Sequence, residues 1–274
     1  DVINRAFAEK TNLLLLPEAS VAESNLKFLQ KAVKRAVQEH RDATGQTPPL
    51  LYVFAGVVAS PEKTKSKKGK KKKAKLKADE QQHSNYVVLI DRHGDIRMEQ
   101  DKMFPWDICH DQLDRFDMHR KFALDASCED PLKEDIAGAQ SVTLMDLGDI
   151  GRVLNLICAD MSYDLPGDYL LHLGVDWLNA PIFDQSIGSV NPLPSDGRLT
   201  WICKRAFRAA SAGSRLMVSN SIALTDWLND ANKQRDGFDE INPCCVGLLA
   251  YRDTASEGFV RLELALDTGS PMYT

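Results

Sequence analysis

Nowhere in the sequence does an apolar run approach the roughly 20 residues a membrane-crossing helix needs. Nor does the start show the charged, apolar and small-residue succession of a secretory signal. No CxxC pair occurs among the six cysteines (Cys109, Cys128, Cys158, Cys203, Cys244 and Cys245), and their spacing is irregular. That argues against a zinc site and against a disulfide framework, so a reducing, cytoplasmic setting is expected. The six histidines form no HxH or HExxH pattern, and neither a metal nor another cofactor is expected. Basic charge is scarce outside one place. Ten lysines lie between residues 63 and 77 with no acid among them, and the rest of the chain sets 24 basic residues against 39 acidic ones. A broad nucleic-acid-binding face elsewhere is thereby disfavoured. The lysine run itself lacks aromatic residues, so base stacking has no support. It reads as a solvated loop, or as a contact for phosphate or another acidic partner.

What is present suffices for a sizeable core: 43% of the 274 residues are hydrophobic. A single domain over residues 1–274 is expected, interrupted by a low-complexity, mobile insertion at 61–84. Because the chain opens on Asp1 and reaches a strand-like run by Leu13, it is expected to be a domain cut from a longer protein.

The run Leu13–Leu16 reads as a strand stopped by Pro17. Ser20 with Glu23 three residues on reads as a capping box. Ala22, Leu26, Leu29, Val33 and Ala36 or Val37 then fall at helical spacing through about Glu39, before Gly45 and the Pro48–Pro49 pair. "LLYVFAGVVAS" reads as a buried strand, and "NYVVLIDRHGDIRME" as two strands around a turn at His93–Gly94. Residues 101–140 show no sustained period. "SVTLMDLGDIGRVLNLIC" is a second strand pair turning near Gly148–Gly151. "GDYLLHLG" reads as a short helix closed by Gly174, and "VDWLNAP" as a strand stopped by Pro181. "GRLTWICKRAFRAASAG" is an amphipathic helix capped by Gly213, and "RLMVSNS" a strand. "CVGLLAYRD" and "GFVRLELAL" form a closing hairpin. Strands that alternate with helices in places and follow one another directly elsewhere give an α/β layered fold.

Three chemically useful groups fall at strand ends: Glu18, Lys102 and Cys158. Groups at one rim of a sheet sit where ligands bind in α/β folds. A thiol is only a few per cent ionised at neutral pH and needs a base. Glu18 can take its proton, and Lys102 can steady the thiolate and a tetrahedral oxyanion, helped by the backbone N–H of Ala159 and of Asp160. A lone cysteine ending a strand reads first as a packing residue. Asp160 reads as a partner of turn amides. Asn179 and Asn220 read either as turn caps or as pocket lining.

"LLLLPE", "NYVVLIDRHGDIRMEQDKMFP" and "IGRVLNLICAD" resemble the three signature segments of the carbon–nitrogen hydrolase (nitrilase) superfamily. Later segments are similar too, so that the resemblance spans nearly all the chain except residues 61–84 and 106–137. It implies an α-β-β-α sandwich, two mixed sheets flanked by helices. It further implies Glu18 as base, Lys102 as oxyanion and thiolate stabiliser and Cys158 as nucleophile, forming a thioester that is hydrolysed or transferred. A second glutamate orients the substrate amide in many members; Glu134 is the candidate here and Glu129 the runner-up. The implied substrate is a small carboxamide or N-carbamoyl compound, and self-association is implied by analogy. Ala159 replaces the aromatic residue usual after the nucleophile, and the His often found after the lysine is missing, which bears on substrate more than on chemistry. A second expectation, of another class, is an interaction or dimerisation module within a larger protein, for example one fused to a nucleic-acid enzyme such as a defence-type reverse transcriptase.

Overall fold

The computed structural model of the chain describes residues 2–59, 84–108, 113, 132–136, 138–139, 141–162, 172–183, 208–210, 212–221, 223, 226, 229–230, 233, 247–253, 255 and, for the backbone, 259–264. The lysine run at 63–77, Glu129, the short helix expected before Gly174 and most of the helix expected before Gly213 lie outside the described residues.

Helix α1 (Val2–Ala8) has no counterpart in the sequence reading, being too short to show a period; it buries Ile3, Ala6 and Phe7. Helix α2 (Glu23–Thr44) buries Leu26, Val33, Ala36 and Val37 along one face. It runs past Glu39 because exposed i,i+4 pairs, Arg35–Glu39 and Gln38–Asp42, continue its outer face. It stops at Gly45, whose φ of 68° only a residue without Cβ adopts easily. The expected capping box is not formed. Residues Val21–Ala22 are extended and pair with Val57–Val58, so the helix starts only after Ala22, with no side-chain cap. The Ser20 hydroxyl instead donates to the Gly56 carbonyl at 3.3 Å.

The strands form two mixed sheets, as expected. The first contains β1 (Leu13–Leu15), β2 (Val21–Ala22), β3 (Tyr52–Ala59), β4 (Ser84–Asp91) and β5 (Ile96–Asp101) in the order β1-β3-β4-β5, with β2 also on β3. A two-stranded ribbon, β6 (Asp107–Ile108) with β7 (Leu132–Lys133), follows. The second sheet contains β8 (Leu144–Asp146), β9 (Arg152–Asn155), β10 (Trp177–Ile182), β11 (Arg215–Asn220), β12 (Gly247–Arg252) and β13 (Phe259–Leu264), ordered β13-β12-β11-β10-β9-β8. Its strands β9, β10 and β11 are parallel and the rest antiparallel. Pro181 does not stop β10; it lies within the strand opposite Ser219.

Alternation along the strands sorts the core into layers. Val53, Ala55, Val57, Tyr86, Val88 and Ile90 face α1 and α2. Phe54, Val87, Leu89 and Met98 meet Val153, Ile157, Trp177 and Met217 between the sheets. Leu154, Leu156, Leu178, Ala180, Leu216 and Val218 pack on the far side of the second sheet with Ala209 and Met161. Each Val, Leu, Ile, Phe or Met among them stabilises the fold by ~1.5–3 kcal/mol when fully buried, so these apolar layers hold the sheets while the inner layer can turn polar at one end.

A bulge decides which residues reach that end. Ile90 pairs with Ile96 but Leu89 with Met98, so Arg97 is skipped. The extra residue inverts the alternation: Ile96 packs toward the helices, whereas Met98 enters the inner layer. Gln100 and Lys102 follow Met98 in phase and are buried with it.

Candidate active site

Glu18 sits on the turn after β1. That turn is strained, with Ala19 at φ 52°, and it crosses directly over β3. The crossing works because residue 56 is glycine: a Cβ there would stand 2.3 Å from the Pro17 carbonyl oxygen and 2.6 Å from the Glu18 Cα. Both are backbone and cannot swing away. Gly56→Ala is therefore expected to cost ~1–3 kcal/mol through overpacking and to push Glu18 out of register with Lys102. Thermal unfolding and the rate of Cys158 alkylation measure the two effects.

Lys102 follows β5 and is 2% exposed, while Glu18 is 3% exposed. The lysine Nζ donates to Glu18 Oε1 at 2.8 Å and to Glu134 Oε2 at 2.6 Å. The Asn85 carboxamide nitrogen donates to the same two acids, at 2.7 Å to Glu18 Oε1 and 2.8 Å to Glu134 Oε1. Glu134 Oε2 also accepts the Trp106 N–H at 3.0 Å. Two carboxylates thus share one ammonium in a buried setting. Burial acts to lower the lysine's proton affinity, but the charges of Glu18, Cys158 and Glu134 overcome it and hold Lys102 above the ordinary lysine range. Lys102 is a fixed cation and not a base.

Cys158 ends the run from β9 and begins a one-turn 3-10 helix, Cys158–Met161. Its φ of 45° is left-handed, a conformation that non-glycine residues seldom adopt and that turns the side chain away from the strand's alternation. The half-buried cysteine places Sγ 3.9 Å from the Phe183 carbonyl oxygen. Burial pushes the thiol well above its usual value and the charge of Glu18 pushes the same way, while Lys102 and the Phe183 carbonyl pull it down. At neutral pH the sulfur therefore carries its proton. Glu18 Oε2 has no hydrogen-bond partner among the described residues.

Asp160 is 1% exposed. Its Oδ1 accepts the backbone N–H groups of Met103 at 3.0 Å and Phe104 at 2.8 Å, and its Oδ2 accepts that of Ile157 at 3.1 Å. It fastens the turn of Cys158 to the segment after Lys102. Burial raises its carboxyl to about 6, against the lowering effect of those three N–H groups and of Lys102. The expectation that the Asp160 N–H serves an oxyanion is corrected: it donates to the Ile157 carbonyl at 3.0 Å. Ala159, between the two, is buried.

The structure thus brings together Glu18, Lys102, Glu134 and Cys158, with Asp160 bracing the last. Asn179 caps no turn; it lies within β10 opposite Asn155, both are buried, and neither carboxamide has a partner among the described residues. Asn220 is buried at the end of β11. Two buried polar residues were missed by the sequence reading. Asn85 bridges the acids, and Gln100 ties β5 to the segment leading into β8 through Ser141 O and Thr143 N, at 2.9 and 2.6 Å. Only Asn85, two residues before Val87 and four before Leu89, carried a signal of phase; Gln100 lies between Glu99 and Asp101 beyond the bulge and carried none. Among the described residues no group of three or more His, Cys, Asp or Glu side chains is placed to hold a metal ion, and no helix is long and apolar enough to cross a membrane.

No protein-family model and no curated protein matches the chain. Among the solved structures similar to it are several of an amidase of the nitrilase superfamily from Nesterenkonia sp. AN1. One shows covalent addition of the acetamide moiety of fluoroacetamide at that protein's active-site cysteine, with 15% identity, a TM-score of 0.43, and coverage of 80% of this chain and 66% of that one. A cysteine-to-serine variant of the same amidase gives 14% identity, a TM-score of 0.44, and coverage of 80% and 68%. Another variant, in complex with butyramide, gives 16%, 0.43, 80% and 67%. The chain therefore spans about two thirds of the length of these proteins. The distances among Glu18, Lys102, Glu134 and Asn85 stand independently of this likeness.

Proposed function

We propose that this chain is a cysteine-dependent hydrolase of non-peptide carbon–nitrogen bonds, acting on a small carboxamide or N-carbamoyl compound without a cofactor. The observation that carries the reading is the buried Lys102 ammonium, within 2.8 Å of Glu18 and 2.6 Å of Glu134, close enough to Cys158 for the charges of Glu18 and Lys102 to act on a thiol that burial pushes up.

Attack begins with transfer of the thiol proton to Glu18 Oε2 as Sγ bonds to the amide carbon. The carbonyl electron pair moves onto oxygen, where the Lys102 ammonium and the Ala159 N–H receive the charge. The oxyanion re-forms the carbonyl, the carbon–nitrogen bond breaks, and Glu18 returns the proton to the departing nitrogen. A thioester and a free amine or ammonia result. Water then attacks the thioester, giving its proton to Glu18. The carbon–sulfur bond breaks and the proton returns to sulfur. Glu134, with its side chain 23% exposed, is the acid available to hold the substrate N–H groups. Transfer to another acceptor is the same sequence with an amine or alcohol in place of water.

Self-association belongs to the proposal. Phe28 at 75% and Val2 at 51% exposure, beside a cleft of about 500 Å³ against α1 and α2, give it an apolar surface. Contact of the 63–77 lysine run with an acidic partner is proposed from charge alone. Ammonia release from a panel of small carboxamides tests the enzymatic reading: the wild-type chain turns over at least one, and Cys158→Ala turns over none while keeping its unfolding midpoint. An active Cys158→Ala protein contradicts it.

A further inference from the structure

Asn85 belongs to β4 in phase with the inward-facing Val87 and Leu89, and it is 7% exposed. Its carboxamide spends one N–H on Glu18 Oε1 at 2.7 Å and the other on Glu134 Oε1 at 2.8 Å. Lys102 Nζ reaches the same pair at 2.8 and 2.6 Å. The four side chains close a ring in which two acids are joined by one charged and one neutral bridge. Two carboxylates facing one carboxamide dictate that its nitrogen and not its oxygen points at them, since a carboxylate only accepts. The main chain takes part as well: the Asn85 carbonyl accepts the Lys102 N–H at 2.9 Å. One residue thus sets the place from which the ammonium projects and the separation of the acids that the ammonium serves.

We infer that Asn85 is a positioning residue for the reaction: it keeps Glu18 and Glu134 together around a single cation and, by sharing Glu18 Oε1 with Lys102, reserves Oε2 for the thiol proton. The inference rests on Glu18 and Cys158 acting as base and nucleophile. Without the two N–H donors, repulsion between the acids has only Lys102 to oppose it. The pair then retains a proton to higher pH, and that proton occupies the base.

The test follows alkylation of Cys158 by iodoacetamide from pH 5 to 9, by peptide mass spectrometry, in the wild type, Asn85→Leu and Asn85→Asp, with denaturant unfolding of each. Leucine matches asparagine in size and has no donor, so the acid limb of the rate profile is expected to move up by about one pH unit or more. Aspartate adds a third acid, and its limb moves further. Profiles that superimpose on the wild type after scaling, with only the rate or the unfolding midpoint changed, overturn the inference. Should Asn85→Leu fail to fold, Asn85→Ser carries the same comparison, and an unmoved limb there is equally fatal. Loss of the catalytic reading looks different: wild-type labelling would then be indifferent to Glu18→Gln. Labelling that responds to Glu18→Gln but not to any Asn85 variant removes only the role of Asn85.

Discussion

Lys102→Met is expected to reduce turnover by ~10³-fold or more and to destabilise the fold by ~3–5 kcal/mol. Two acids lean on one ammonium, Glu18 at 2.8 Å and Glu134 at 2.6 Å, and the lysine is 2% exposed. Methionine fills a similar volume but leaves Glu18 buried and Glu134 half-buried, with only Asn85 and the Trp106 N–H among the described residues to solvate them. Removing one member of a buried pair costs far more than the pair contributes net, because the survivor is stranded. The pH dependence has a definite sign. Lys102 is held above the ordinary lysine range, so its stabilising contact is fully present at neutral pH and is lost only as pH rises through that elevated value. Urea unfolding of wild type and variant at pH 8 checks this: a gap no larger than that of an exposed ion pair, ~1 kcal/mol or less, contradicts the shared-cation arrangement.

Glu18→Gln is expected to cut turnover by ~10²–10⁴-fold while disturbing the fold much less than Lys102→Met. The two oxygens of Glu18 have separate duties. Oε1 accepts both Asn85 and Lys102, and Oε2 accepts nothing among the described residues. Glutamine can keep the first oxygen and replace the second with an amide nitrogen, so the scaffold bonds persist and the proton acceptor disappears. Steady-state rates and unfolding midpoints of the two variants separate a base from a strut. A Glu18→Gln enzyme of near wild-type rate, or one as unstable as Lys102→Met, would show that Glu18 only braces the lysine.

Much of this arrangement was legible in the sequence because strand ends announce themselves. Pro17 after a leucine run, and a cysteine and an acid after "VLNLI", mark where polar groups follow buried strands. Glu134 was found only through the resemblance; its surroundings lack periodicity, and its position depends on the Trp106 backbone and on the two-stranded ribbon of β6 and β7. What sequence could not give was set by tertiary pairing. The capping box at Ser20 lost to the pairing of Val21–Ala22 with β3, a long-range competitor that no local pattern reveals. The bulge at Arg97 changes the phase of β5, and with it the side of the sheet to which Gln100 and Lys102 belong. Asn85 looked like the polar edge of a strand; its importance appears only once β1, β4 and the segment at Glu134 meet.

The central claim is that the Cys158 sulfur forms a bond to substrate carbon with Glu18 taking its proton. Intact-mass and peptide mass spectrometry, after quenching the wild-type chain in turnover with a mixture of small carboxamides, tests it most directly. The account predicts an acyl adduct confined to Cys158, labile to hydroxylamine as a thioester is, and strongly diminished in Glu18→Gln. Sustained amide turnover with no adduct on Cys158, or an adduct on another residue, would contradict it.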